Sequence, residues 1–257
     1  MTKNFSNRLN EIRTDPVSRR AEAILGQLCR SFELDQHTVE HSIRVGVSTL
    51  ALAIGQAAEK WHVPLYAGGI AHDIGKMYCR WAITSPEQKH VLSPEDRHRI
   101  YMHPSRGHHH MTVNNSHPPG HRASWRRASG LVLFSHSAHA DPANNYPDQS
   151  VIGAYELTRE LEPETSATLR SMVVPMAYAD GIDALTHKDE RPYMDDRLEV
   201  VDGVSRDAKV TISLAYELMA RSLLPTSIDV VGVFEEHNAV IELEALRIFE
   251  DISARVQ

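Results

Sequence analysis

His72 and Asp73 stand side by side in the run Gly69-Ile70-Ala71-His72-Asp73-Ile74-Gly75-Lys76, at the end of an apolar helical approach. A carboxylate has two oxygens and can bridge two cations, whereas a neutral imidazole offers one directional nitrogen. The pair therefore suits a two-metal hydrolytic site. Further candidate ligands recur at helix-sized intervals: His41, His103, His136 and Asp180. Any one histidine alone would more often be a hydrogen-bonded core or surface residue, and a lone His-Asp pair could equally decorate a surface. Six ligand-type residues in helical register shift the balance towards a metal centre. A mixed imidazole and carboxylate set suits Fe, Mn, Zn or Ni better than Ca.

The charge distribution fits the same chemistry. The net charge of −7 argues against broad coating of a nucleic-acid polymer. Residues 71–140 nevertheless hold nine Lys and Arg against four Asp and Glu, a local +5 that leaves −12 elsewhere, and 11 of the 16 histidines. A basic region carrying the candidate ligands suits a small anionic substrate such as a phosphate ester. The only cysteines are Cys29 and Cys79, and no charged-then-apolar leader precedes a small-residue cleavage site. Disulfides and secretion are not expected, and a cytoplasmic location is. No apolar run approaches the roughly 20 residues that cross a bilayer, so no membrane association is expected.

These residues need elements to hold them. With 257 residues, 42% of them hydrophobic, the chain can bury a sizeable core, and one compact domain with helical additions is expected. Asp15-Pro16 starts a helix reaching residue 32, with Ala23, Ile24, Leu28 and Cys29 on one side. Residues 36–60 carry Val39, Ile43, Val47, Leu50 and Ile54 at spacings of three and four, a buried stripe. His37 and His41 fall on another side of that helix, about 6 Å apart along its axis. Pro64 opens the helix that delivers His72 and Asp73. Ser93-Pro94-Glu95-Asp96 starts another, running to about His103.

A helix over 122–136 delivers His136, and a pattern from Pro163 through Leu169, Met172, Val173 and Met176 reaches Asp180, with a kink at Pro175. Two more helices are expected near 206–222 and 236–254. Residues 111–120 have turn chemistry and too few apolar groups for a packed element. Together with 137–150 they are expected to rim a pocket. His108-His109-His110 reads as a solvated helix face. Arg122, Arg126 and Arg127 read as a basic face, or as a guide for an anion. Leu214, Leu218, Leu223, Ile241 and Leu246 fit packing onto the bundle and a homodimer contact alike. The fold class expected is an all-α helical bundle.

The chain resembles the HD superfamily of metal-dependent phosphohydrolases, and within it the HD-GYP branch that degrades cyclic di-GMP. The resemblance spans roughly residues 36–235. It is carried by His41-Ser42-Ile43-Arg44-Val45, His72-Asp73-Ile74-Gly75-Lys76, His103-Pro104-Ser105-Arg106-Gly107, Ala179-Asp180-Gly181-Ile182-Asp183-Ala184-Leu185-Thr186 and Arg191-Pro192-Tyr193. It implies a bundle of the HD-domain type over 36–235, with a helical extension at 1–35 and a C-terminal helix at 236–257 packing on the domain. It also implies two divalent transition metals, Fe or Mn before Zn or Ni, held by His41, His72, Asp73, His103, His136 and Asp180. Asp73 would bridge the ions, a metal-bridging hydroxide would attack the phosphodiester, and Lys76 and Arg191 would offset charge on phosphate. Lys76, Tyr146 and Arg191 would contact substrate phosphate or base.

The chain also departs from the branch pattern. In His136-Ser137-Ala138-His139-Ala140-Asp141-Pro142-Ala143-Asn144-Asn145-Tyr146-Pro147, Ser137 replaces a ligand histidine and Ala138 a glutamate. The segment is one residue longer, and Tyr146-Pro147 lacks its glycine. His139 lies where it could substitute for the missing histidine. His37 stands where some members place a glutamate for a third metal, and Met194 where a second basic group is common. Two metals are expected rather than three. Two alternatives stay open: a phosphohydrolase of another nucleotide or phosphate ester, and a non-catalytic nucleotide- or metal-binding module acting through a signalling partner.

Overall fold

The computed structural model describes residues 2–31, 34–54, 56–79, 94–114, 117–138, 166–187 and 210–255, and among these it is all-α with no strand. The helices are α1 (Thr2–Thr14), α2 (Pro16–Arg30), α3 (Gln36–Ala53), α4 (His62–Ala71), α5 (Pro94–Tyr101), α6 (His103–His109), α7 (Arg122–Phe134), α8 (Ser166–Met172), α9 (Val174–Thr186), α10 (Ile212–Ser222) and α11 (Val230–Ala254). A short 3-10 segment, Glu59–Trp61, precedes α4, and a longer one, Ile74–Cys79, follows it. No helix of the described residues is long and apolar enough to cross a membrane.

Local chemistry sets most of the helix starts. Asp15 accepts from Val17 N ahead of Pro16, and Asp35 accepts from Thr38 N at 2.9 Å. Thr211 and Asp229 cap α10 and α11 in the same way. The Asp229 cap explains why α11 begins at Val230, earlier than the expected 236. The helix expected to end at Lys60 stops at Ala53, where Ile54 turns to extended backbone (ψ 124°) and Gly55 follows in sequence.

Proline splits two other expected helices. The Ser93 helix breaks at Met102 (φ −83°, ψ −7°), because Pro104 cannot donate into a continuing helix, and α6 starts afresh at His103. The kink expected at Pro175 is likewise a break at Val173, with Pro175 in the first turn of α9.

Helix α3 is the axis of the fold. Every residue from His41 to Ala53 is buried, so it is covered all round and not only along the Val39-Ile54 stripe. Helices α4, α9 and α11 pack on it. The α3 and α4 backbones nearly touch: a Cβ on Gly69 would lie 2.7 Å from Gly46 Cα, and a Cβ on Gly46 would lie 2.8 Å from Ile70 Cγ1. Two glycines at one crossing bring the helix carrying His41 against the helix leading to His72.

A polar clasp centred on buried Glu22 joins the early helices, and an ion pair at the surface extends it to α11. Glu22 accepts from Arg13 Nε at 2.9 Å, Arg13 Nη2 at 3.2 Å and the Tyr66 hydroxyl at 2.8 Å, and Arg13 Nη2 also reaches Asp251 at 3.1 Å. Glu22 and Tyr66 are buried, so their mutual satisfaction is what makes the polar group tolerable there.

Three surface expectations change. Met111 is fully buried, so the segment after α6, a single wide turn over His110–Asn114, contributes to the core. His108 is not a solvated member of its triplet; its Nδ1 donates to Ser129 O at 2.9 Å, and burial lowers its pKa. Arg127 lies 5.6 Å from the Trp61 ring centroid, an arrangement of cation over aromatic face. Leu218, Leu223 and Ile241 pack inward, whereas Leu246 (56% exposed) and its neighbour Leu243 (47%) face out. Residues 139–150 and the start of the expected 206–222 helix lie outside the described residues.

Candidate metal centre

Four elements converge on one buried point. Helix α3 supplies His41, the end of α4 supplies His72 and Asp73, α6 opens on His103, and His136 follows α7. Helix α9 brings Asp180 to the edge of the cluster. The 3-10 turn after Asp73 lies so close to α6 that a Cβ on Gly75 would lie 1.9 Å from His103 O. That contact fixes His103 relative to Asp73.

The donor atoms form two groups that share Asp73: His41, His72 and Asp73, and then Asp73, His103 and His136. Oδ2 of Asp73 lies 3.6 Å from His41 Nε2 and 3.5 Å from His72 Nε2, while Oδ1 lies 3.1 Å from His103 Nε2. His136 Nε2 is 3.1 Å from His103 Nε2. Asp180 belongs to neither group but borders both, with Oδ1 3.1 Å from His41 Nε2 and 3.7 Å from His72 Nε2, and Oδ2 3.8 Å from His136 Nδ1.

The far side of each ring explains why these nitrogens face inward. His72 Nδ1 donates to Gly69 O at 2.7 Å, His103 Nδ1 to Ile100 O at 2.5 Å, and His41 Nδ1 to Asp183 Oδ2 at 2.6 Å. A neutral ring whose Nδ1 carries the proton presents Nε2 as a lone pair, the form a metal takes. Several inward contacts then set acceptor against acceptor, which a shared proton or a cation resolves. His72 Nε2 and Asp73 Oδ1 are buried without a hydrogen-bond partner, although His103 Nε2 lies 3.1 Å from Oδ1. Orphaned donor atoms at the meeting point of imidazoles and a carboxylate are what a divalent transition metal satisfies. His41, His72, Asp73, His103 and His136 could therefore hold metal ions.

The electrostatics agree. Burial alone would raise Asp73, but His72, Lys76 and His103 hold its carboxyl well below the usual range. Asp180 is held down in the same way, against its burial, by His41 and His72. Burial opposes charge on His41, yet hydrogen bonding to Asp180 and Asp183 outweighs it and raises the imidazole to about 9. His41 thus carries a proton where a metal would otherwise bind, and metal entry must release it. Burial and the neighbouring His103 push His136 well below its ordinary value, and burial lowers His103. These two are ready to ligate as neutral rings.

Lys76 forms an ion pair with Asp73 Oδ2, so an ammonium sits at the rim of the cluster. A cavity of about 630 Å³ lined by Tyr78, Ser105, Arg106 and His109 borders the two elements that carry Lys76 and His103. Tyr146, Arg191 and His139 lie outside the described residues. His37 is half-buried and falls in neither donor group.

Sequence reasoning missed the layer behind His41. Arg44 Nε donates to Asp183 Oδ1 at 2.7 Å and Nη2 to Oδ2 at 3.3 Å, and His187 Nδ1 lies 3.2 Å from Oδ1. The available signal was spacing: Arg44 follows His41 by three residues and Asp183 follows Asp180 by three, one helical turn in each case. No protein-family model, curated protein or solved structure matches the chain.

Proposed function

We propose that the chain is a metal-dependent phosphohydrolase of the HD type, a phosphodiesterase whose first candidate substrate is a cyclic dinucleotide such as cyclic di-GMP. The observation that carries the reading is the sharing of Asp73 between two donor groups, because a bridging carboxylate between two imidazole-rich sites is the hallmark of paired-metal hydrolysis. Bound there, two divalent ions, Fe or Mn for preference, would supply Lewis acidity and an activated water. The protein's own part is electrostatic and positional. Lys76 offsets negative charge beside the site, and Arg106 and His109, on the helix that begins with His103, add to a basic approach for phosphate. Tyr146 and Arg191 are proposed to complete recognition of base and phosphate.

The test begins with metal analysis of protein purified without chelator. Hydrolysis after Mn or Fe reconstitution is then followed on cyclic di-GMP, other phosphodiesters and mononucleotides. Two metals with diester turnover support the reading. Preferential release of phosphate from mononucleotides replaces the substrate class, and stoichiometric nucleotide binding without turnover in metal-replete protein replaces the enzyme with a binding module. No metal after reconstitution overturns the reading at its base.

A further inference from the structure

We infer that the two donor groups are unequal and fill in order, the His41-His72-Asp73 group first, and that Asp183 is the positioning residue that gives that group its lead. The inference rests on the metal-dependent reading above and goes beyond it by ranking the sites and naming what ranks them.

The asymmetry lies behind the ligands. His41 is backed by a carboxylate, Asp183, at 2.6 Å, whereas His103 is backed by a neutral carbonyl, Ile100 O, at 2.5 Å. A carboxylate behind an imidazole fixes its tautomer and raises its basicity more than a carbonyl does. Asp180 borders both groups but lies closer to the first, 3.1 Å from His41 Nε2 and 3.7 Å from His72 Nε2 against 3.8 Å from His136 Nδ1. The first group is buried throughout, whereas His136 in the second is partly open to solvent. Desolvation strengthens the attraction between a cation and its anionic ligands. Two features oppose this ranking: the Lys76 ammonium touches Asp73 Oδ2, the oxygen facing the first group, and a metal entering there must displace the proton on His41. The fixed orientation of the His41 ring, the approach of Asp180 and the burial of the group outweigh both; Asp183 contributes orientation rather than net charge, because Arg44 neutralises it.

Asp183 is itself immobilised. Arg44 grips both its oxygens and His187 approaches Oδ1 at 3.2 Å, so the carboxylate cannot turn away from His41. In Asp183→Asn the guanidinium claims the amide oxygen and leaves the NH2 facing His41 Nδ1. The ring proton then moves to Nε2, the nitrogen a metal needs, which is the wrong-tautomer outcome known when an amide replaces a histidine's carboxylate partner.

The test is calorimetric titration of Mn(II) into the chelator-stripped full chain. The wild type should show two binding events separated by at least about tenfold. Asp183→Asn should weaken the tighter event by about 10- to 100-fold and erase the order, while His136→Ala should abolish only the weaker event. Asp183→Asn strands the Arg44 cation, so the double variant Asp183→Leu/Arg44→Met, which removes both buried charges, separates folding from positioning. A purely structural role predicts that this double variant recovers tight binding; positioning predicts that its thermal stability recovers and its tight site does not. Unchanged affinities in Asp183→Asn, recovery in the double variant, or loss of the tighter event in His136→Ala would overturn the inference and leave the two-metal reading standing. Absence of Mn(II) binding by the wild type would overturn both.

Discussion

On the two-metal reading proposed above, Asp73→Asn is expected to leave the protein folded and to strip it of both metal ions. The exchange conserves size and one acceptor oxygen, but it removes the only residue common to the two donor groups. Each group then keeps two imidazoles and loses its shared anion, and Asp180 alone remains as a carboxylate bordering both. One bordering carboxylate does not balance two divalent charges in a site where Asp73, His72 and His103 are almost wholly shielded from water. Affinity at both positions should fall by well over the roughly 100-fold typical of losing an outer partner, so metal content should drop from two ions to almost none. On the proposed phosphohydrolase reading, hydrolysis should fall by at least about 10³-fold, the upper range for loss of one charge-stabilising group.

The fold is expected to survive at some cost. Against its burial, His72, Lys76 and His103 hold the Asp73 carboxyl well below the usual range, so its charge stabilises the folded state and the melting temperature should fall, while the isosteric amide keeps the packing. Lys76, which loses its ion pair with Asp73, can extend towards water. Elemental analysis and a melting curve on one preparation decide the matter. Two ions retained with a normal melting temperature would refute the shared-ligand role of Asp73.

The second large effect comes from a residue with no side chain. In Gly75→Ala the added Cβ would lie 1.9 Å from His103 O, 2.7 Å from Gly107 N and 2.8 Å from His103 C. All three are backbone atoms, so no rotamer change relieves the clash, and the 3-10 turn must part from α6. Overpacking of this kind costs about 3 kcal/mol, which in a chain of this size lowers the melting temperature by roughly 6 to 12 °C. The displaced element carries His103, so the second donor group should open and one metal ion should be lost while the other stays. Gly120→Ala is the control. Gly120 has φ 76°, so alanine there is strained by about 1 kcal/mol, but nothing lies within 4 Å of the added carbon. Its metal content should be unchanged, and equal effects from the two substitutions would refute the close-approach argument.

The all-helical class and the residues that gather at the centre were legible because both follow from short-range rules. Apolar spacing marks helices, and ligand-type side chains at helix ends stand out against it. His41, His72, Asp73, His103 and His136 needed only their identities and their helices to be picked out. Asp183 and Arg44 could not be recognised in this way. An acid or an arginine on a helix is ordinarily a solvated residue, and only the packing of α9 on α3 buries these two against each other.

The full burial of α3 was hidden for the same reason. Ser42, Arg44, Ser48 and Thr49 suggest a wet face until α4, α9 and α11 are known to close over it. The breaks at Met102 and Val173 lie two residues ahead of a proline, where proline's geometric demand is certain but the point of yielding depends on what each half packs against. Met111 looked like part of a loop because its neighbours are polar, yet a single side chain can anchor an irregular segment.

The clasp through Glu22 also bears on the order in which the molecule assembles. Arg13 and Asp251 are 238 positions apart, and the entropy of closing so long a loop is recovered only when the chain between them has already condensed. The crossing at Gly46 and Gly69 encloses a short loop and can form early. The Arg13–Asp251 end of the clasp is therefore expected to close last and to work as a latch against opening, while the Glu22 end, which spans only 9 and 44 positions, can form early. Asp251→Asn should accelerate unfolding and leave the refolding rate almost unchanged in stopped-flow measurements, so that this end of the clasp governs how long the folded molecule persists more than how quickly it forms.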